Sequence, residues 1–243
     1  RLSISRPTVG SSKIKTFGIK NLADNNGKIL EIDFSGMLLK INNKEFWTPL
    51  VGKFNASNLL AVFSVANIAG IKSIEILRIL SQTKGINGRF EILKTPNNAF
   101  VIVDYAHTPN GLQNVIDTIS QIRTKNEVFI TIIGCGGNRD LGKRSKMGEI
   151  VLNGCDKVIF TSDNPRYEKP EKIINDMLFG INPNNMKKIS KIVNRKEAIE
   201  NGCSQLNSGD ILLVVGKGHE TYQEIKGEKI PFNDIKIVKE SFS

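Results

Sequence analysis

Val128-Phe-Ile-Thr-Ile-Ile-Gly134-Cys-Gly-Gly-Asn-Arg139-Asp-Leu-Gly-Lys-Arg144 decides the fold. Six β-branched or aromatic residues run into three glycines within four positions, and a helical pattern follows over Lys143–Asn153. A strand that stops at a glycine turn and resumes as a helix is the front of a βαβ unit. The same rhythm extends both ways. Upstream, Ala99–Asp104 reads as a buried strand. Pro109–Ile122 reads as a helix with apolar positions Leu112, Val115, Ile116, Ile119 and Ile122, and its proline suits a first turn. Downstream, strands at Lys157–Thr161, Ile189–Val193 and Asp210–Gly216 alternate with helices at Lys169–Leu178 and Arg195–Leu206. This alternation predicts an α/β fold with a Rossmann-like, mostly parallel, doubly wound sheet. Tyr222–Ile225 and Lys229–Phe232, around Gly227, read as a terminal hairpin.

The preceding residues have another rhythm. Lys15–Ile19, Ile29–Phe34 and Met37–Ile41 read as short strands, with Asn25-Asn26-Gly27 and Ser35-Gly36 as turns. Leu50–Asn58 leads into a helix with a broad apolar face (Leu59, Leu60, Val62, Phe63, Val65, Ala66, Ala69) that stops at Gly70. Ser73 is expected to cap a second helix, with Ile74, Leu77, Ile79 and Leu80 as its apolar positions. Gly85–Gly88 breaks the pattern. At about 150 residues per domain, 243 residues suggest two unequal units, 1–87 and 88–243.

Composition narrows the function classes. Apolar residues make up 40% and charged residues 24%, the balance of an ordinary globular chain. The longest apolar run of note, Ile211–Val215, is far short of a membrane span. Three widely spaced cysteines (Cys135, Cys155, Cys203) match neither a zinc template nor a disulfide framework, which suits a reducing cytoplasm. The net charge of +10 is uneven: residues 1–86 carry 12 basic and 5 acidic side chains, the remainder 22 and 19. The bases of the first part (Lys13, Lys15, Lys20, Lys28, Lys40, Lys44) are scattered singly, without aromatic interleaving or a basic helix. No nucleic-acid partner is therefore expected.

Four predicted strands end in polar or glycine-rich segments: Asp104-Tyr-Ala-His-Thr-Pro109, Gly134 to Arg144, Ser162-Asp-Asn-Pro-Arg166 and Lys217-Gly-His-Glu220. In open α/β sheets, ligands bind beyond the carboxyl ends of the strands. Each segment alone has a plain alternative: a tight turn at Gly134–Gly137, a surface turn at Asn164-Pro165, exposed charges at Lys217–Glu220, a structural histidine at His107. Cys135 has no histidine beside it in sequence and reads as packing. Together the segments describe one site. Arginines at 139 and 166 suit carboxylates, Asp163 suits an ammonium group and Asn164 either, so a zwitterionic ligand is expected.

Six segments in this order resemble the signature of the Mur ligase family: Gly52-Lys-Phe-Asn-Ala-Ser-Asn58, Gly88-Arg-Phe-Glu91, Asp104-Tyr-Ala-His-Thr-Pro109, Gly134-Cys-Gly-Gly-Asn-Arg-Asp140, Asp163-Asn-Pro-Arg166 and Gly216-Lys-Gly-His-Glu220. The resemblance covers essentially the whole chain. It implies the strand-and-helix end of a central ATP-binding domain, followed by the complete amino-acid-binding domain. It also implies roles by position. Asn55 and Asn58 match adenine contacts. Arg89 matches the arginine that reaches ribose and phosphates, and Asp104, His107 and Thr108 match the facing side of the ATP site. Arg139, Asp163, Asn164, Pro165, Arg166, Gly216 and Glu220 match the amino-acid site. Asp-Asn-Pro-Arg is the family's tetrapeptide for meso-diaminopimelate; lysine-adding members carry another. Two departures stand out: Asn138 replaces a usual aspartate, and Tyr167 and Lys169 replace small or acidic residues.

The implied reaction is ATP-driven amide formation with Mg2+. The γ-carboxylate of UDP-N-acetylmuramoyl-L-alanyl-D-glutamate is phosphorylated, and meso-diaminopimelate displaces the phosphate through its amine. The resemblance further implies a cytoplasmic monomer in peptidoglycan synthesis. No Gly-x-x-Gly-Lys-Thr/Ser phosphate loop occurs in these residues. In the family that loop and the carbamylated lysine lie upstream, so the chain reads as a C-terminal fragment, inactive alone, with those two catalytic features expected upstream of Arg1. Two rivals remain: a non-catalytic amino-acid-binding module, and a glutamate-adding ligase of the folylpolyglutamate branch.

Overall fold

The computed structural model describes residues 14–19 and 22–243, so Lys13 and Lys20 fall outside the described residues. The chain divides into two compact units, Arg1–Lys84 and Gly85–Ser243.

In the first unit, strands β1 (Phe17–Ile19), β2 (Asn25–Asp33), β3 (Gly36–Ile41) and β4 (Lys44–Thr48) pair in sequence order, β1–β2 parallel and the rest antiparallel. Helices α1 (Lys53–Ile68) and α2 (Ser73–Ser81) follow. Alternation in β3 sends Met37, Leu39 and Ile41 to one face, where they pack with Leu59, Leu60 and Phe63 of α1 and Ile76, Leu77 and Leu80 of α2. Several expectations for this unit need correction. Asn25-Asn26-Gly27 is not a turn but the start of β2. The Asn25 amide binds Ser64 Oγ (3.1 Å) and accepts from Asn42 (3.1 Å), and Asn26 N–H donates to Asn42 Oδ1 (2.9 Å), so tertiary partners replace the turn's local hydrogen bonds. The apolar face of α1 is narrower than predicted, because Val62 and Val65 point outward, 53% and 67% exposed. Ser73 is the first helical residue rather than the cap. Lys72 holds the cap position, and Ser73 Oγ accepts from Asn67. In α2, Ile74 and Ile79 are exposed and Ile76 takes the buried position.

The second unit contains β5 (Glu91–Lys94), β6 (Phe100–Asp104), α3 (Pro109–Ile122), β7 (Phe129–Ile133), α4 (Gly142–Gly154), β8 (Lys157–Phe160), α5 (Pro170–Met177), a short 3-10 turn (Pro183–Lys188), β9 (Ile189–Lys191), α6 (Arg195–Ser204), β10 (Ile211–Val215), the hairpin β11 (Tyr222–Ile225)–β12 (Glu228–Pro231) and α7 (Asp234–Glu240). The sheet order is β5-β6-β10-β7-β8-β9, parallel except for the edge strand β5. Val101, Val103, Ile130, Ile132, Leu212 and Val214 face α6 and α7. The alternate residues of the same strands are also buried, as a sheet covered on both faces requires. The antiparallel β5 and the terminal α7 are absent from the sequence reading. β5 is four residues bounded by charges, and α7 is a short helix stabilised by packing of Ile237 and Val238 into the core. No helix among the described residues is long and apolar enough to cross a membrane.

Candidate functional site

Because β6, β10, β7 and β8 lie side by side and parallel, their carboxyl ends share one edge, and the four polar segments emerge there together. The loop after β7 presses on the loop after β8. Gly137 N–H donates to the Asn164 carbonyl (2.8 Å), and a Cβ on Gly137 would strike the Pro165 carbonyl, so only glycine permits this approach. The position a Cβ would take on Gly136 lies 3.1 Å from Arg166 Nη1 and 3.7 Å from Arg139 Cγ. Both arginine side chains therefore approach one point. Arg139 is exposed and forms no salt bridge among the described residues. Arg166, in a left-handed conformation (φ 51°), donates from Nε to Glu224 Oε2 (2.9 Å) and from Nη1 to the Gly137 carbonyl (2.8 Å).

The segment after β10 joins the same cluster. Lys217, fully buried, donates to Asn164 Oδ1 (2.9 Å) and Glu220 Oε2 (2.9 Å), and the Asn164 amide donates to the same Glu220 oxygen (3.0 Å). Burial works against ionisation of Glu220, yet the hydrogen bonds from Lys217 and Asn164 hold its carboxyl below the ordinary range. Asp163 lies beneath, against Gly216, and burial pushes its carboxyl up despite the nearby Arg195 and Lys217 cations. Arg139, Asp163, Asn164, Pro165, Arg166, Gly216 and Glu220 thus form one cluster.

A second group surrounds Tyr105. Arg89 stacks on its ring (4.6 Å), and His107 and His219 approach it at 4.7 and 5.0 Å. Asp104 and Thr108 serve this loop structurally. Asp104 accepts from Phe90 N–H and Ala106 N–H, both at 2.7 Å, and burial nonetheless raises its carboxyl above the ordinary value. Thr108 caps α3 by accepting from Gly111 N–H (3.2 Å). Asn55 and Asn58 stand on the first turns of α1 in the other unit; Asn55 donates to the Val51 carbonyl (2.8 Å), and Asn58 is exposed.

Sequence reasoning missed the supports of the site. Arg144, fully buried, binds Glu168 (2.9 Å), Asp176 (2.7 Å) and the Gly136 carbonyl (3.2 Å). Glu168 in turn accepts from Asn138 N–H, and Asn138 Oδ1 accepts from Tyr167 N–H (3.1 Å), so the unusual Asn138 bridges the two loops. Lys217 lies inside a quoted segment, but its burial has no local signature. Glu224, on a hairpin strand, gives no signal at all. A cleft of about 920 Å³ opens along the β8 and β9 ends, lined by Lys169, Lys191, Asn194 and Gln223. It shares Pro165 and Arg166 with the cluster but not Arg139, Gly216 or Glu220, so the cleft and the cluster overlap only in part. Among the described residues, no group of three or more His, Cys, Asp or Glu side chains is placed to hold a metal ion.

Three comparisons bear on this arrangement. The family model described as "Mur ligase, glutamate ligase domain" matches residues 88–218, more than half of the chain. The UDP-N-acetylmuramoyl-L-alanyl-D-glutamate–2,6-diaminopimelate ligase of Phocaeicola vulgatus is 47% identical over 232 residues, which cover 96% of this chain and 48% of the relative. A solved structure of a ligase with that same name superposes with a TM-score of 0.68 at 36% identity, covering 95% of this chain and 47% of the other. The folylpolyglutamate synthase of Thermotoga maritima shares the fold, with a TM-score of 0.62 at 19% identity over 82% of this chain and 44% of the other. The chain thus spans about half the length of the curated relatives it matches.

Proposed function

The chain belongs to the Mur ligase family, and from that premise we propose that it is the amino-acid-selecting part of an ATP-dependent ligase. That ligase joins meso-diaminopimelate to UDP-N-acetylmuramoyl-L-alanyl-D-glutamate in peptidoglycan synthesis. Residues 1–87 are read as the end of the ATP-binding domain and 88–243 as the amino-acid-binding domain. The observation that carries the reading is the approach of both Arg139 and Arg166 to Gly136, beside the Asn164–Lys217–Glu220 network. Diaminopimelate has two carboxylates and two amines. Two guanidinium groups and an ionised Glu220 answer that pattern of charge, with Asn164 orienting Glu220.

In the reaction, ATP phosphorylates the D-glutamate γ-carboxylate, and the diaminopimelate amine attacks the acyl phosphate and expels phosphate. These residues orient the attacking amine and its remote carboxylates. For ATP, Arg89 and His107 present exposed groups around Tyr105, whereas Asp104 and Thr108 shape the loop that carries them. Asn55 and Asn58 are assigned to the adenine. Mg2+ belongs to the same reading of the whole enzyme, but the described residues assemble no metal site and no step is assigned through it. We place the enzyme in the cytoplasm, as a monomer.

Calorimetric titration of the 243-residue chain with meso-diaminopimelate, lysine and glutamate tests the assignment. Diaminopimelate is expected to bind at least about tenfold more tightly than lysine, the difference one charged hydrogen-bonded contact supplies. Equal affinities would sink it, and a preference for glutamate would favour the folylpolyglutamate branch.

A further inference from the structure

The Arg166 guanidinium is held from outside the strand-tip loops. Its Nε donates to Glu224 Oε2 at 2.9 Å, and Glu224 belongs to β11 of the hairpin. The backbone of Glu224 is locked to the same loop: its N–H donates to Asn164 Oδ1 (2.9 Å) and its carbonyl accepts from Arg166 N–H (3.0 Å). Lys226 N–H then donates to the Arg166 carbonyl (2.7 Å), and Arg166 pairs in parallel with Ile225. On the other side, Nη1 is tied to the Gly137 carbonyl (2.8 Å). A guanidinium is planar and carries five N–H donors in fixed directions. With Nε and one Nη1 donor engaged, both N–H groups of Nη2 and the second of Nη1 remain, enough for a two-pronged grip on a carboxylate.

We propose that Glu224 is the positioning residue of this fork: by holding Nε it presents the Nη side of Arg166 to a carboxylate of the bound amino acid, and so selects a ligand with a second carboxylate. The inference rests on the reading of Arg166 as a carboxylate-binding residue. Its physical basis is pre-organisation. A free arginine side chain loses rotamer entropy when it is ordered, and an arginine already fixed in the unliganded chain has met that cost during folding. Glu224 also balances the Arg166 charge, which leaves Arg139 as the cation of the pair without a carboxylate partner among the described residues. Discrimination at Arg166 then follows the shape of the fork rather than bare positive charge. Lysine, which differs from diaminopimelate by lacking the second carboxylate, gains nothing from it.

Calorimetry on the 243-residue chain and its Glu224→Ala and Glu224→Gln variants, with meso-diaminopimelate and with lysine, tests the proposal. Glu224→Ala is expected to weaken diaminopimelate about tenfold while leaving lysine within about twofold. Glu224→Gln keeps an acceptor oxygen for Nε and is expected to return diaminopimelate to within about threefold of the unmodified chain. Diaminopimelate binding that is unchanged or tighter in Glu224→Ala overturns the proposal while leaving the functional reading intact. An equal loss for lysine and diaminopimelate overturns it as well. Absence of diaminopimelate binding in the unmodified chain overturns the assignment of Arg166, and the inference with it. Circular dichroism accompanies each titration; should Glu224→Ala not fold, Glu224→Asp, whose shorter arm does not reach Nε, carries the same comparison.

Discussion

Glu168 shows how one side chain couples two loops. Its carboxylate accepts from buried Arg144 and from Asn138 N–H, and these bonds bring its pKa down from 4.5 to about 2. A carboxyl whose pKa is depressed by folding contributes stability that is fully present above its unfolded value, near 4.5, and is lost as pH falls toward 2. The urea midpoint of the unmodified chain should therefore exceed that of Glu168→Gln by a constant margin at pH 6 to 8. The margin should narrow between about pH 4.5 and 2. A margin independent of pH would show that the bridge is not ionic. At this scale the sequence was half legible. Arg139, Asn164, Arg166 and Glu220 stand out because charged and amide side chains beside glycine and proline at strand ends are conspicuous. Arg144, Lys217 and Glu224 do not, because a buried charge is marked only by its distant partner.

Among the elements, α3 was read to the residue. A proline in the first turn and apolar residues at helical spacing agree, and each acts within four residues of its own position; the cap by Thr108, which the resemblance assigned to the ATP site, is shown by the structure. Removing the Thr108 hydroxyl should cost about 1 kcal/mol, measured as a lower urea midpoint of Thr108→Ala with an unchanged slope. No change would mean that Gly111 N–H finds water instead. The same logic failed at Ser73 and at Asn25–Gly27. Serine and asparagine satisfy a cap or a turn equally well in isolation, and here Asn67, Ser64 and Asn42 compete for them. Short elements such as β5 and α7 escaped notice because their stability comes from neighbours rather than from their own periodicity.

Across the second unit, the fully buried pair Arg195–Asp234 (2.7 and 2.9 Å) fastens α7 to α6, and Arg195 also donates to the Val215 carbonyl at the end of β10 (3.0 Å). Asp234→Ala strands a buried cation and should destabilise the chain by about 3–5 kcal/mol in chemical denaturation. A loss below 1 kcal/mol would mean that water or another carboxylate replaces Asp234. The alternation of strands and helices and the polar strand tips could both be read from local order, because periodicity and turn chemistry act over a few residues. Only the tertiary structure inserted β10 between β6 and β7, set Lys217 on Asn164, 53 residues away, and set Glu224 on Arg166, 58 residues away. Such contacts depend on which strands become neighbours, and that is settled by packing the whole sheet rather than by any one segment.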